Sequence, residues 1–165
     1  MGTCIQCDKE ALKESDFCAE CEAREFKKIR GWLFVPAISL VLSLLTIVVS
    51  INTTVKALME NDGAFVGGQK GLLIFELAFF VAMFAYTLFV SSLFFRKKRQ
   101  LPRFFIGFLL LWLAFYGVDL VLAHQLMNLP YVYDNVKPLL RNAVSAAIWI
   151  PYFLVSVRVK RTFVR

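Results

Sequence analysis

The sequence predicts an all-α membrane protein, a four-transmembrane-helix bundle that carries a small zinc-ribbon-like segment at its N-terminus. Two observations predict this architecture. Apolar runs occupy residues 31–54, 71–95, 104–125 and 139–157 of the 165-residue chain, and a helix needs about 20 mostly apolar residues to span a ~30 Å hydrocarbon core. All four cysteines lie before the first of these runs. We therefore divide the chain into residues 1–24, a cytoplasmic ribbon-like segment, and residues 25–165, the transmembrane domain.

The N-terminal segment contains two Cys-x2-Cys pairs, formed by Cys4 with Cys7 and by Cys18 with Cys21. Two such pairs can bring four thiolates to the corners of a tetrahedron around zinc. A segment this short cannot bury enough apolar surface to fold alone, and structural zinc contributes about 10–16 kcal/mol in comparable peptides. The spacing therefore predicts a structural zinc site, with a redox pair or a metal-free tail as the alternatives.

The residues around the cysteines favour the structural zinc over the other metal and redox roles. A redox cysteine is typically a thiolate beside basic groups, whereas the neighbours of these pairs are mainly acidic. Four sulfur ligands also leave no open position for a catalytic zinc.

Residues 4–21 resemble the short zinc ribbons found at the N-termini of many bacterial membrane proteins. Those ribbons have a Phe before the third Cys, as Phe17 stands before Cys18 here. They usually place Gly after each pair, where this chain has Asp8 and Glu22. The resemblance implies a structural zinc, and the departure predicts looser geometry around it.

Basic residues near the span ends predict the topology. They precede the first span, separate the second from the third, and follow the fourth: Lys27, Lys28, Arg30; Arg96, Lys97, Lys98, Arg99, Arg103; Arg158, Lys160, Arg161 and Arg165. Because loops rich in Lys and Arg stay on the cytoplasmic side, we expect both termini inside and the first span to act as an uncleaved signal anchor. The net charge of +7 mostly reflects this topology, so we expect no nucleic-acid partner.

Polar residues follow helical spacing within the spans. The first span has Ser39, Ser43, Thr46, Ser50 and Thr53; the third has Trp112, Tyr116 and Asp119; the fourth has Arg141, Ser145, Trp149, Tyr152 and Ser156. Small polar stripes let helices approach closely, so we expect these to be packing faces of a compact bundle rather than the walls of a pore. Pro36 and Pro151 predict kinks, because proline lacks the N–H of the helical hydrogen bond.

Three residues that are charged at neutral pH fall inside the spans: Glu76, Asp119 and Arg141. A charge at the centre of a bilayer costs about 2.5–3.5 kcal/mol on insertion scales, so each needs a partner. All three lie near the predicted outer boundary, and we expect them to meet as an intramembrane polar cluster with His124 just above. The cluster is either an interhelical staple neutralised by Arg141 or a protonatable coupling site.

The C-terminal string from Trp149 to Phe163, with Arg141-Asn142 before it and Gly31-Trp32-Leu33 at the first span, resembles a bacterial inner-membrane family known as domain of unknown function 2569. The resemblance spans about residues 31–165. It implies a four-helix membrane domain, sometimes preceded by a cysteine-rich ribbon, and it transfers no catalytic residues. Arg158 and Lys160 in this string are expected to contact lipid phosphates or a partner.

These observations predict a non-enzymatic inner-membrane accessory or scaffold protein whose zinc-stapled cytoplasmic head binds a membrane or cytosolic protein. The leading alternative is a small proton- or ion-coupled transporter that works as a homodimer and uses Glu76 and Asp119. A thiol-redox membrane enzyme is a third hypothesis. It would require the cysteines on the oxidising face, opposite to the predicted topology.

Overall fold

The computed structural model describes residues 3–12, 17–21, 33–60, 68–156, 159 and 162–163. Four long helices make up most of this part of the chain: α1 (Phe34–Glu60), α2 (Gln69–Phe95), α3 (Leu101–Met127) and α4 (Tyr133–Val155). Each is long and apolar enough to cross a membrane, and each overlaps one predicted span. The predicted all-α, four-helix membrane fold is therefore confirmed. The boundary predicted after residue 24 lies outside the described residues.

The helices pack in chain order. The extensive contacts join α1 to α2, α2 to α3 and α3 to α4, whereas α1 and α4 do not pack extensively on each other. Large apolar side chains, including Leu45, Phe89, Leu111 and Leu154, remain exposed on the outer faces of the four helices. In water such surface would be a liability, and in a bilayer it is the surface that faces lipid.

Aromatic rings fill the seam between α2 and α3 and extend to α4. Phe79 of α2 stacks on Phe115 of α3 with ring centroids 3.8 Å apart, and Phe105 of α3 stacks on Phe153 of α4 at 4.5 Å. Ring pairs of this kind stabilise an interface beyond the area they bury. The aromatic part of the core therefore lies between α2, α3 and α4, and α1 adds the buried aliphatic side chains of Leu40 and Ile47.

A hydrogen bond crosses the same seam. The Tyr86 hydroxyl on α2 donates to the Phe104 carbonyl on α3 over 3.0 Å. Gly107 makes room for it, since a Cβ there would lie 3.0 Å from the Tyr86 oxygen. A small residue at a helix interface permits this close approach.

The start of α1 changes the expectation for Pro36. Because α1 begins at Phe34, Pro36 lies in the first helical turn, where backbone N–H groups have no helical partner in any case. No hydrogen bond is lost there, and the reason for expecting a kink falls away. Helix α4 continues through Pro151 to Val155.

Both described connections between helices use a residue with positive φ. Lys97 (φ 53°) lies between α2 and α3, and Asn128 (φ 54°) ends α3. Next to Asn128, the Nδ1 atom of His124 lies 2.8 Å from the Leu129 carbonyl oxygen, and its ring lies against Tyr131 with centroids 4.2 Å apart. His124 therefore holds the α3–α4 connection together.

The described residues after α4 fold back onto the bundle. Val159, Thr162 and Phe163 are buried, and the Phe163 ring meets Phe94 at the end of α2 with centroids 5.5 Å apart. Their i, i+3, i+4 spacing is that of one helical face. Much of the C-terminal string is therefore explained by packing within the chain.

Candidate functional sites

The four cysteines lie on two short loops that the backbone holds together. The Cys4 N–H donates to the Lys9 carbonyl over 2.8 Å, and Thr3 pairs with Glu10 in an antiparallel bridge. This turns the first loop back on itself, so that Cys4 and Cys7 face the same way. The second pair lies on a loop and a short helical turn at residues 18–21.

The sulfur atoms form a compact cluster. All four Sγ atoms lie within 4.8 Å of one another, and Cys7 Sγ lies 3.7 Å from that of Cys4 and 3.3 Å from those of Cys18 and Cys21. Sulfur ligands at ~2.3 Å from a tetrahedral metal would lie ~3.8 Å apart. The cluster therefore has about the size that a tetrahedral metal site requires.

Three of these side chains are buried: Cys4, Cys18 and Cys21 are 4%, 5% and 7% exposed. None of the four cysteines forms a disulfide. An exposed ion pair between Lys9 Nζ and Glu20 Oε2, at 2.7 Å, joins the first loop to the second.

Backbone N–H groups point at the sulfur atoms. Burial raises the pKa of the Cys4 thiol, but N–H groups led by those of Cys18 and Gln6 donate to its sulfur, and the net effect lowers the pKa to about 6. A backbone N–H donated by Cys21 likewise lowers the pKa of Cys18. Such bonds stabilise thiolates.

The pKa values of the other two thiols, Cys7 and Cys21, are raised instead of lowered. Hydrogen bonding to Cys7, followed by burial, raises the pKa of Cys21 to about 12, and the bond to Cys18 raises the pKa of Cys7. Four thiolates this close repel one another, which opposes their full ionisation unless a cation lies among them. The donor set suits a soft, tetrahedral metal ion.

The structure brings two of the three predicted intramembrane charges together. Glu76 of α2 and Asp119 of α3 lie within hydrogen-bonding reach of each other. The Oδ1 atom of Asp119 is buried and has no hydrogen-bond partner. Two neighbouring carboxyl groups can hydrogen-bond to each other only if one of them carries a proton, and Asp119 Oδ1 remains open to a further donor.

Arg141 does not complete this cluster. Within the described part of the chain it forms no ion pair with either acid. Helix α4 begins at Tyr133, so Arg141 lies more than two turns into the helix instead of near its start. The phenol of Tyr116 on α3 is within electrostatic range of both Arg141 and Asp119.

Arg141 lines a cleft of about 450 Å³ between α1 and α4, with α3 as its floor. Its walls come from all three helices: Ser39, Leu42, Ser43 and Thr46 of α1; Phe108, Leu109, Trp112 and Tyr116 of α3; Arg141, Asn142 and Ser145 of α4. Parts of the two stripes, Ser39, Ser43 and Thr46 of the first span and Arg141 and Ser145 of the fourth, line this open space, whereas Trp149 and Tyr152 pack against the core as expected. Whether polar residues of α1 and α4 face each other depends on long-range packing. The two polar stripes were the only indication of this arrangement in the sequence.

The remaining predicted contact residues, Arg158 and Lys160, lie outside the described residues. They follow α4 directly and flank the buried Val159.

Comparisons with known proteins agree with this architecture. A family model described as "Protein of unknown function (DUF2569)" matches residues 26–164. Inner membrane protein YdgK of Escherichia coli (strain K12) is 29% identical over 145 residues, which cover 84% of this chain and 94% of that protein. No solved structure matches the chain.

Proposed function

The chain belongs to the DUF2569 family of proteins of unknown function and is a multi-pass inner-membrane protein, and from this premise we propose that it is a non-enzymatic accessory or scaffold protein. Its four-helix domain anchors a head, residues 1–24, that is held together by one zinc ion and binds a protein partner. The observation that carries the proposal is the cluster of four thiols within 4.8 Å of one another.

Zinc is the ion that this head fits best. Tetrahedral sites of four thiolates are typical of structural zinc, and the N–H groups donated to Cys4 and Cys18 stabilise the thiolate form that binds it. Within the described head, few apolar side chains besides Phe17 pack against the cysteines. A folded head therefore needs the metal, which supplies the free energy that a core would supply elsewhere.

The head is proposed to lie in the cytoplasm. The α2–α3 connection carries Arg96, Lys97, Lys98 and Arg99, and Arg103 follows in the first turn of α3. This connection lies at the bundle end where α1 begins and α4 ends. Since basic loops remain inside, that end faces the cytoplasm, where a reducing environment keeps thiols available for metal.

A non-enzymatic role is supported by the contacts of the histidine and of the four cysteines, side chains that are often used in catalysis. The chain has one histidine, and His124 is engaged in the α3–α4 connection. The four sulfur ligands leave no open position at which a metal could activate water or substrate.

The experiment compares wild type with Cys18→Ser and with Lys9→Ala, which removes the exposed ion pair to Glu20 and keeps all four thiols. Each full-length protein is affinity-purified from membranes after cross-linking, and its zinc content is measured. We expect wild type and Lys9→Ala to hold one zinc and to capture the same protein, and Cys18→Ser to lose both. Equal capture by all three, or a lone monomer in every case, would refute the proposal.

A second candidate function rests on the two neighbouring acids Glu76 and Asp119, which would provide a protonatable site within the membrane. A small proton-coupled transporter would use these acids, and it would work as a homodimer because four helices seldom enclose a gated pathway alone. Proton flux into proteoliposomes should then fall at least tenfold in Glu76→Gln and Asp119→Asn and stay unchanged in Asp134→Asn, an exposed acid at the start of α4. Equal flux in all variants would exclude this candidate.

A further inference from the structure

We propose that the cleft between α1 and α4 binds the acidic headgroup of an amphiphile, a carboxylate or a phosphate, through Arg141, while the acyl chain lies in the surrounding bilayer. This binding site goes beyond the proposed function, because it requires neither the zinc head nor the Glu76–Asp119 pair.

The first argument is an uncompensated cation. Arg141 is exposed to the cleft and forms no ion pair within the described part of the chain. It lies eight residues after Tyr133, the first residue of α4, or ~12 Å along the helix axis. A guanidinium stays charged in proteins, and at membrane depth such a charge pairs with another group or faces a water-filled cavity. An anion from outside the chain supplies what the chain lacks.

A second cation strengthens the case. Lys137 lies one turn from Arg141 on the same face of α4, and both line a smaller hollow of about 330 Å³ that adjoins the cleft. Like charges at i and i+4 destabilise a helix. Lys137 also forms no ion pair among the described residues. The two side chains together make a positive strip that leads from the outer end of α4 into the cleft.

Other residues that line the cleft can contact the remaining parts of such a ligand. Ser43 of α1 and Asn142 and Ser145 of α4 offer hydroxyl and amide groups that can donate to the oxygens of a carboxylate or phosphate. Phe108 and Trp112 form an apolar floor that suits the glycerol or the first carbons of a chain. A guanidinium with neighbouring donors is the arrangement that recognises planar or tetrahedral oxyanions.

The shape of the cleft indicates an amphiphile instead of a water-soluble anion. Since α1 and α4 do not pack extensively on each other, the cleft opens sideways toward the lipid. Exposed Leu42 and Leu45 of α1 and Val144 and Ile148 of α4 continue as an apolar surface for an acyl chain. A volume of about 450 Å³ lies within the usual range of ~300–1,000 Å³ for small-molecule sites.

The test uses native mass spectrometry of the full-length protein, delipidated in a neutral detergent. Phosphatidylglycerol and phosphatidylethanolamine with the same acyl chains compete for the protein, and oleate is measured separately. We expect one phosphatidylglycerol or one oleate to bind at least tenfold more tightly than phosphatidylethanolamine. The ratio of the two acidic ligands then distinguishes a phosphate from a carboxylate source.

Matched variants connect the binding to the cleft. Arg141→Gln should remove the preference for the acidic lipid, whereas Lys56→Gln, which removes a positive charge from the outer end of α1, should keep it. Ser43→Leu should abolish binding by filling the cleft without a change of charge, and Thr53→Leu, on the exposed surface of α1, should not. All variants are first checked for wild-type helix content.

Three results would overturn the proposal. The first is an unchanged preference in Arg141→Gln or Ser43→Leu. The second is displacement of the lipid by equal concentrations of sn-glycerol 3-phosphate, since the site would then take a soluble anion. The third is a dimer that Ser43→Leu dissociates, which would assign the cleft to a second copy of the chain.

Discussion

The cysteine head and the helical bundle have different kinds of buried interior. The bundle buries large aromatic rings between α2, α3 and α4, and its contacts are made by the chain alone. The head buries three cysteines and packs Phe17 against them, so its centre is made of groups that repel each other once ionised. From this contrast we predict that the bundle folds by itself in lipid, whereas the head folds only with a bound metal.

Loss of the metal should affect the head strongly and the bundle little. Cys18→Ser should eliminate zinc binding, and with it the ~10–16 kcal/mol that a structural zinc contributes. We expect limited proteolysis to cleave residues 1–30 rapidly, while the far-ultraviolet circular dichroism of the bundle stays at its wild-type intensity. Glu20→Gln, which loses only the ion pair to Lys9, should remain resistant. A variant whose bundle unfolds together with its head would show that the two regions are one cooperative unit.

Low pH should release zinc and unfold the head, as we expect for Cys18→Ser, and should leave the bundle folded. Zinc binding requires thiolates, so protons compete with the metal and the zinc affinity falls as the pH falls. The lowered pKa of Cys4, about 6, means that this thiolate persists near neutral pH and is protonated once the pH passes below 6. Zinc release titrated with a chromogenic chelator should therefore steepen below pH 6. Release independent of pH would contradict thiolate ligation.

The next largest effect belongs to the aromatic core. Phe115 is 4% exposed and its ring contacts those of Phe75, Phe79 and Phe80. Phe115→Ala should destabilise the bundle by about 3–5 kcal/mol, measured by denaturant unfolding in mixed micelles, with zinc content unchanged. Leu154→Ala, at a residue that is 57% exposed, is the control and should be nearly neutral.

The smallest predicted effect is at the hydrogen bond between α2 and α3. Tyr86→Phe removes the hydroxyl that reaches the Phe104 carbonyl and keeps the ring. Interhelical hydrogen bonds in membranes contribute about 0.6 kcal/mol on average, so we expect a loss of that order. Tyr133→Phe, on an exposed residue, should cause none. A loss as large as that of Phe115→Ala would mean that polar contacts, not ring packing, hold the seam.

The sequence alone predicted the features that depend on residues close together in the chain. Span positions follow from hydropathy, and the thiol cluster follows from Cys-x2-Cys spacing, because both depend on residues close together in the chain. Three features could not be predicted from residues close together in the chain. They are the separation of Arg141 from the Glu76–Asp119 pair, the cleft between α1 and α4, and the burial of Phe163 against Phe94. Each depends on how distant helices are rotated and staggered. The i, i+3, i+4 spacing of Val159, Thr162 and Phe163 is a signal of a helical face that our sequence analysis did not use.

The most direct test of the account is X-ray absorption at the zinc edge of the full-length protein, together with metal analysis. We predict one zinc per chain, coordinated by four sulfur atoms at about 2.3 Å supplied by Cys4, Cys7, Cys18 and Cys21. Nitrogen or oxygen ligands around the metal, or a protein purified under reducing conditions without zinc, would contradict it.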